Sequence, residues 1–209
     1  MPSNRRDRPR KPARREPFRE SKPRILVVTE GAVTEPEYLR GFINACKNPR
    51  VEIKIAGEHG RDPKSLVGIA KQHRDDADRA ADRENDDNLR FESVWCVFDV
   101  DDHLKIPDAK QMARDNGIEL AISNPAIELW LLLHFRESPG MQHRDKVRAM
   151  LAEFVPGYDK HVAFAEYFPG YDAAVRRAQQ LDRAATQDGE EGRNPSTGVY
   201  RLTALIRDD

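Results

Sequence analysis

The chain has 209 residues, of which 34% are charged and 38% hydrophobic, and its net charge is −1. This length allows one compact domain, or one domain with a helical appendage. The near-zero charge argues against nucleic-acid binding through overall charge, and no apolar run approaches the roughly 18–20 residues of a membrane helix.

The charge is unevenly distributed along the chain. Residues 1–24 hold ten Lys/Arg and three Asp/Glu, a net of +7, which leaves about −8 for residues 25–209. Because this segment has almost no apolar side chains, residues 1–23 are predicted to be disordered. Such a tail could contact nucleic-acid phosphates or simply keep the protein soluble, and the sequence favours neither role.

The two cysteines, Cys46 and Cys96, stand alone, and neither has the spacing of a metal finger. Isolated cysteines are typical of reduced cytosolic thiols, although the sequence leaves a disulfide open. No apolar segment follows the basic N-terminal residues, so we expect no secretory signal. A soluble cytoplasmic protein is therefore expected.

The first strand and helix are predicted in residues 24–46. Residues 24–29 are continuously apolar after the first, which indicates a strand buried on both faces, and this strand ends in Glu30-Gly31. Thr34 is predicted to cap the following helix, with Glu37 three residues later as in a capping box.

The next two elements are a strand and a long helix. Residues 51–57 alternate between apolar and polar side chains, which predicts a strand near the edge of a sheet. Asp62-Pro63 opens a helix predicted over residues 62–84, and its later half is so charged that we expect it to project into solvent.

An apolar run at residues 93–98 leads directly into Asp99, Asp101 and Asp102. The run is typical of a buried strand, and crowded carboxylates at its end repel one another unless a cation lies between them. Asp99 and Asp101 are two residues apart, so their side chains point the same way and could share one ion. Oxygen ligands suit Mg²⁺ or Mn²⁺; a solvated acidic turn is the alternative.

A helix at residues 107–116 and a fourth strand at residues 118–123 continue the alternation of strand and helix. This order predicts an α/β fold with a parallel or mostly parallel sheet and helices on both faces. If the first and third strands are neighbours, Glu30 joins Asp99 and Asp101 in one acidic cleft at the carboxyl ends of the strands.

Residues 124–135 form the most apolar segment, and we expect Asn124 and Pro125 to begin a buried helix there. Glu128 in its first turn therefore needs a partner, since a buried carboxylate without one is costly. His134 at the far end is interpreted as a core histidine with satisfied hydrogen bonds, with catalysis as the alternative.

The remaining sequence is helical and more polar. Helices are predicted near residues 143–154 and 170–186, and a last helix at residues 197–207 is expected to be capped by the residues from Asn194 onward. We accordingly divide the chain into an α/β domain at residues 24–136 and a helical portion at residues 137–209 packed on the same domain.

Three segments resemble the RloB-like family: residues 29–38, which contain Glu30-Gly31, residues 98–101, which contain the Asp-x-Asp pair, and residues 124–135. Residues 194–197 fit the C-terminal end of the family, so the resemblance spans about residues 24–207. A Glu-Gly after a buried strand, followed by a later strand ending in Asp-x-Asp, also resembles the Toprim domain of topoisomerases, primases and OLD-type nucleases.

The resemblance implies a Toprim-like fold and a metal-dependent nuclease that hydrolyses DNA or RNA. It also implies a role in bacterial anti-phage, abortive-infection or restriction-linked defence, with an AAA- or ABC-type ATPase as protein partner. By the same resemblance, Glu30 acts as general acid or base or helps to hold metal, and Asp99 and Asp101 bind Mg²⁺ or Mn²⁺. Glu35 lies where related nucleases have a second acid after the Glu-Gly pair, although its spacing of five residues from Glu30 is one longer than in OLD-type enzymes.

Other residues could complete the chemistry. His103 directly follows the acidic turn and could move a proton, Glu128 could form the floor of the cleft, and Lys160 could act on a proton or on substrate phosphate. The helix dipole alone would also explain Glu35. The alternative functions are a non-catalytic nucleotide- or metal-binding regulatory or adaptor subunit of a defence complex, and a phosphatase or small-nucleotide hydrolase.

Overall fold

The computed structural model describes residues 23–56, 62–100 and 106–207. The described residues contain five strands: β1 (Ile25–Thr29), β2 (Val51–Ile55), β3 (Ser93–Asp99), β4 (Glu119–Asn124) and β5 (Ser196–Thr197). They also contain eight α-helices: α1 (Thr34–Cys46), α2 (Pro63–Glu84), α3 (Ile106–Asp115), α4 (Ile127–Leu132), α5 (Arg144–Ala152), α6 (Phe164–Tyr167), α7 (Tyr171–Gln187) and α8 (Val199–Arg207). The predicted disordered segment lies almost wholly outside these ranges.

The strands form one sheet in the order β2-β1-β3-β4-β5. β1 pairs with β2 and β3 in parallel, β3 pairs with β4 in parallel, and β5 runs antiparallel to β4. The predicted mostly parallel α/β fold is therefore confirmed, as is the position of β2 at an edge. Because β1 and β3 are apolar on both faces, they occupy the interior of the sheet.

Helices cover both faces of the sheet and enclose two apolar clusters. One cluster packs α1 and the helices from α4 to α8 around Trp130, against Ile25 and Val27 of β1. The other packs α2 and α3 against Leu26 and Val28, the alternate residues of the same strand. Within the described ranges, no helix is long and apolar enough to cross a membrane.

The order of the strands reverses between β1 and β3. From β1 the chain moves outward to β2 and then returns across β1 to form β3 on its other side. In open α/β sheets, ligands bind where the strand order reverses, outside the carboxyl ends of the strands. Glu30 follows β1 and Asp99 ends β3, so the fold brings both carboxylates to this place.

Two helix starts differ from the sequence prediction. α1 begins at Thr34 itself, with Val33 before it, and the Thr34 hydroxyl instead donates to the carbonyl of Lys160 at 2.9 Å. α4 begins only at Ile127, because Asn124 still belongs to β4 and its amide donates to the Gly192 carbonyl at 2.9 Å. In both places the side chain that the local sequence predicted as a helix N-cap forms a hydrogen bond to a residue far away in the chain instead.

The C-terminal segment also contains a strand that the sequence did not indicate. Ser196 and Thr197 pair with Asn124 and Ser123 of β4 and so form an edge strand. The Thr197 hydroxyl also accepts a hydrogen bond from the Val199 backbone at 3.4 Å, at the start of the last helix as the sequence predicted. The hydroxyl groups of Ser123 and Thr197 lie 3.0 Å apart, which adds a buried side-chain contact to the ladder. The C-terminal helices are thus joined to the same sheet as the acidic residues.

The long helix α2 follows the prediction closely at its start. Asp62 caps it by accepting a hydrogen bond from the Ser65 backbone at 3.2 Å. Its charged later half is mostly exposed or half-buried, with Ala81 packed inward. Arg90 forms ion pairs with Asp78, at 3.2 Å, and with Asp82, which ties the end of the helix to the chain that leads into β3.

Candidate functional site

A cavity of about 340 Å³ opens at the carboxyl ends of β1 and β3. Four carboxylates and two cations lie on its walls. The lining residues are Glu30, Gly31, Ala32, Val33, Thr34, Glu35, Asp99, Ile127, Glu128, Arg144 and Lys160. The structure therefore brings together Glu30, Glu35, Asp99 and Glu128, which the sequence singled out separately.

The pairing of β1 with β3 sets the positions of Glu30 and Asp99. Thr29 is in register with Val97, and the Glu30 backbone donates to the Val97 carbonyl at 3.0 Å. Asp99 follows two residues later on β3, where the next residue, Val100, donates its backbone N–H to Ser123 of β4 at 2.9 Å. The backbones that carry both carboxylates are thus held by the sheet.

Glu35 lies in the first turn of α1 and turns back toward the end of β1. Its side chain is buried, and burial raises the pKa of its carboxyl. Hydrogen bonds from the backbone N–H groups of Glu35 and Gly31 act in the opposite direction, and the charges of Glu128 and Glu30 raise the pKa further. The helix dipole is therefore not a sufficient account of this residue.

Gly31 makes the close approach of Glu35 possible. A Cβ atom at this position would overlap the carboxylate of Glu35. We expect Gly31→Ala to lower the free energy of unfolding by about 1–3 kcal/mol, since the buried carboxylate must move. In urea unfolding, the matched control Gly68→Ala has its nearest contact at 3.8 Å and should be neutral or up to about 1 kcal/mol more stable. Equal stability of wild type and Gly31→Ala would contradict this account.

Asp99 has the most strongly shifted carboxyl of the cavity. Burial raises its pKa well above the ordinary value, and repulsion from Glu35, Glu128 and Glu30 adds to the effect. Arg144 acts in the opposite direction. The acids are therefore close enough to oppose one another's ionisation, and a bound cation would remove that repulsion.

Glu128 has the partner that its burial requires. The Tyr158 hydroxyl donates to its Oε1 atom at 3.3 Å. Both side chains are largely buried, so this hydrogen bond fixes the carboxylate at the floor of the cavity. Tyr158 was not among the residues predicted from sequence, because it lies 30 positions after Glu128 in a loop that belongs to none of the recognised motifs.

A model of the family described as RloB-like protein matches residues 25–206. The chain belongs to the RloB-like family. The match includes every residue that lines the acidic cavity, from β1 to the loop around Lys160. Neither the curated proteins nor the solved structures contain a match to this RloB-like chain, so its relation to Toprim domains stays a prediction.

The two cations of the RloB-like cavity come from its C-terminal portion. Arg144 is the first residue of α5, which packs beside α4, and Lys160 lies in the loop before α6. The sequence suggested Lys160 as a phosphate contact but gave no signal for Arg144. Arg144 lies in an ordinary polar helix, and only its position beside Asp99 distinguishes it.

Histidine 134 lies in the aromatic core. His134 is buried, its Nδ1–H donates to the Trp130 carbonyl at 2.9 Å, and its Nε2 accepts from the Tyr38 hydroxyl at 3.0 Å. With both ring nitrogens bonded, it is the satisfied core histidine that the sequence favoured.

The predicted Asp101, Asp102 and His103 lie outside the described residues. Among residues 23–56, 62–100 and 106–207, no three His, Cys, Asp or Glu side chains are grouped closely enough to hold a metal ion. The oxygen donors of Glu30, Glu35 and Asp99 fit the chemistry of Mg²⁺ or Mn²⁺. A ligand set built on them therefore requires Asp101 or a movement of these side chains.

A larger cavity, of about 580 Å³, lies beside β4 and β5. Its lining mixes apolar residues such as Leu120 and Ile122 with equal numbers of acids and cations, such as Glu191 and Lys110. Because acids outnumber cations at the end of β1 and β3 and raise one another's pKa, the acidic cavity is the better candidate for chemistry.

Proposed function

We propose that this RloB-like protein is a Mg²⁺- or Mn²⁺-dependent nuclease that hydrolyses phosphodiester bonds in DNA or RNA. The observation that supports it is the convergence of Glu30, Glu35, Asp99 and Glu128 on one cavity at the point where the strand order reverses. The raised pKa values of Asp99 and Glu35 support it further, because such carboxylates mark functional sites more often than structural ones.

The proposed ligands of the metal are Glu30, Asp99 and Asp101, with Glu35 beside them. A bound Mg²⁺ would polarise a phosphate oxygen and lower the pKa of a water molecule. The Glu30 backbone is held at the end of β1 by β3, which supports Glu30 as the group that would take a proton from an attacking water. His103 is the second candidate for proton transfer.

The Tyr158 hydrogen bond gives Glu128 a different role. A carboxylate that accepts from a buried hydroxyl keeps one orientation, so Glu128 contributes a fixed negative charge to the floor of the cavity. We infer that it orients metal-bound groups and excludes bulk water from the side of α4. Its burial at the start of α4 supports this role.

We also propose that the nuclease acts in a bacterial defence system together with an ATPase partner. Family membership and the motif resemblance at residues 29–38, 98–101 and 124–135 support this context.

A cleavage assay on labelled single- and double-stranded DNA and RNA tests the proposal. We expect cleavage by the wild type with Mg²⁺ or Mn²⁺ and none with EDTA. Asp108→Asn is the matched control for Asp99→Asn, because it changes the same chemical group outside the cavity. Asp108 is an exposed acid of α3 that pairs with Lys64 at 3.6 Å, and its variant should cleave like wild type. If the wild type cleaves none of these substrates, alone or with its ATPase partner, the nuclease proposal is wrong.

The second candidate is a non-catalytic subunit that binds a nucleotide or metal in the same cavity. The presence of Arg144 and Lys160 beside the acids favours it, because cations in the cavity would hold a nucleotide's phosphates without turnover. Nucleotide binding that persists without hydrolysis in the same assay would favour this function.

A further inference from the structure

Two cations line the acidic cavity together with its carboxylates. Arg144 is half-buried at the start of α5, and its charge acts on Asp99. Lys160 is exposed and lines the same cavity from the loop at residues 158–162. The cavity thus carries carboxylates that suit a metal and two cations that suit an anion.

The backbone at Lys160 has an unusual conformation. Its φ is 82°, in the left-handed region that a residue with a β-carbon rarely adopts. Such a conformation persists only where the surrounding structure holds it, and it is found often at ligand sites. Lys160 is therefore held in place against an intrinsic preference.

Helix α1 holds this loop at three successive residues, from Lys160 to Val162. The Thr34 hydroxyl donates to the Lys160 carbonyl at 2.9 Å, and the Glu37 carboxylate accepts from the Val162 backbone at 2.8 Å. The His161 ring donates to the other oxygen of Glu37 at 2.9 Å. Both oxygens of Glu37 are thus engaged by the loop, which makes this carboxylate the acceptor that fastens it.

We propose that Arg144 and Lys160 form a phosphate-binding subsite for the nucleic-acid backbone, and that Glu37 is a positioning residue which holds Lys160 toward it. This inference rests on the proposed function and names the part of the cavity that takes the substrate. A guanidinium binds a phosphate through paired N–H donors, and a lysine adds a compact positive charge. A phosphodiester bound in the cavity would contact the metal held by the carboxylates and also the cationic side chains of Arg144 and Lys160.

Binding of inorganic pyrophosphate to the full-length protein in EDTA, measured by calorimetry, tests the subsite. The Asp99→Asn variant serves as the background, because its amide carries no charge at any pH. In that background Lys160→Gln and Arg144→Gln should each weaken binding about tenfold or more, as for a lost charged hydrogen bond. The matched control Lys146→Gln, an exposed lysine on α5 outside the cavity, should change it less than about twofold.

Glu37→Ala, in the same background, separates positioning from simple charge. Loss of a nearby negative charge alone would strengthen pyrophosphate binding. The proposal predicts the opposite, a loss of about three- to tenfold, because Lys160 is no longer held, and it predicts that the double variant binds no more weakly than Lys160→Gln alone. Thermal unfolding should confirm that the variant is folded. Tighter binding by Glu37→Ala would overturn the positioning role, and equal effects of Lys160→Gln and Lys146→Gln would overturn the subsite.

These measurements use neither metal nor turnover, so they stand apart from the cleavage assay. If cleavage is absent but the cation variants lose pyrophosphate binding, the nuclease proposal fails and the phosphate subsite remains. All variants share the basic residues 1–24, so the contribution of that segment cancels in the comparison.

Discussion

Asp99→Asn is expected to make the metal-free protein more stable at neutral pH. Because the pKa of Asp99 is raised in the folded protein, the folded state binds this proton more tightly than the unfolded state. Stability therefore falls as the pH rises from the unfolded pKa, near 4, through the folded pKa. At neutral pH the folded wild type must either protonate Asp99 or keep a buried, repelled carboxylate, and asparagine removes that cost, a gain of about 1–3 kcal/mol.

Urea unfolding in EDTA at pH 7 and at pH 3.5 measures this effect. The advantage of Asp99→Asn should be present at pH 7 and absent at pH 3.5, where Asp99 is protonated in both states. Asp108→Asn changes the same chemical group on an exposed helix and should show no such gain. An Asp99→Asn variant that is less stable than wild type at pH 7 in EDTA would refute the repulsion argument.

With added Mg²⁺ or Mn²⁺, the wild type should become more stable than Asp99→Asn. A metal present at about a hundred times its dissociation constant stabilises the folded state by about 2.7 kcal/mol, or about 5–10 °C in Tm for a chain of this length. The wild type should gain this amount, while Asp99→Asn should gain little and lose cleavage by more than about 10²-fold. An equal metal-induced rise in Tm for both proteins would show that the ion binds elsewhere.

The strands beside the cavity were predictable because their sequence signals are local. β1 is an apolar run followed directly by Glu30, and β3 is an apolar run that ends at Asp99, so their nature and their limits follow from burial. The sequence did not predict that β1 and β3 are neighbours; the acidic cleft was expected only if they are. The observed register of Thr29 with Val97 satisfies it, and with it the predicted approach of Glu30 to Asp99.

The contacts that complete the cavity were not predictable, because they join residues far apart in the chain. Thr34 and Glu37 have the spacing of a capping box, yet both bind a loop more than 120 residues away. A cap contributes about 1 kcal/mol, and a tertiary contact of similar strength can replace it. Arg144 and Tyr158 lie in segments with no motif, and only the packing of α5 beside α4 brings them to the acids.

The core histidine gives the second large prediction, a loss of stability in mild acid. Burial lowers the pKa of His134 from its ordinary value of 6.5 to about 4. The hydrogen bonds to Trp130 and Tyr38 also fit a neutral ring, since one nitrogen donates and the other accepts. Between these two pH values His134 is protonated in the unfolded chain and neutral in the folded protein.

The stabilisation by neutral His134 is thus complete above pH 6.5 and is lost as the pH falls toward 4. It amounts to about 3 kcal/mol, at 1.36 kcal/mol for each pKa unit. His134→Gln should be less stable than wild type at pH 7, by about 1–3 kcal/mol, because the ring contacts are lost. Its unfolding free energy should nevertheless fall less steeply between pH 6.5 and 4.5 in urea titrations.

The acids of the cavity act in the opposite direction over the same range, because protonation relieves their repulsion. The loss on acidification should therefore be greater in Asp99→Asn, where one relieving group is absent, than in wild type. In the double variant Asp99→Asn with His134→Gln, most of the loss of stability on acidification should disappear, because His134 causes that loss. If wild type and His134→Gln lose the same free energy between pH 6.5 and 4.5, His134 does not stay neutral in the folded core, and another group accounts for the acid sensitivity.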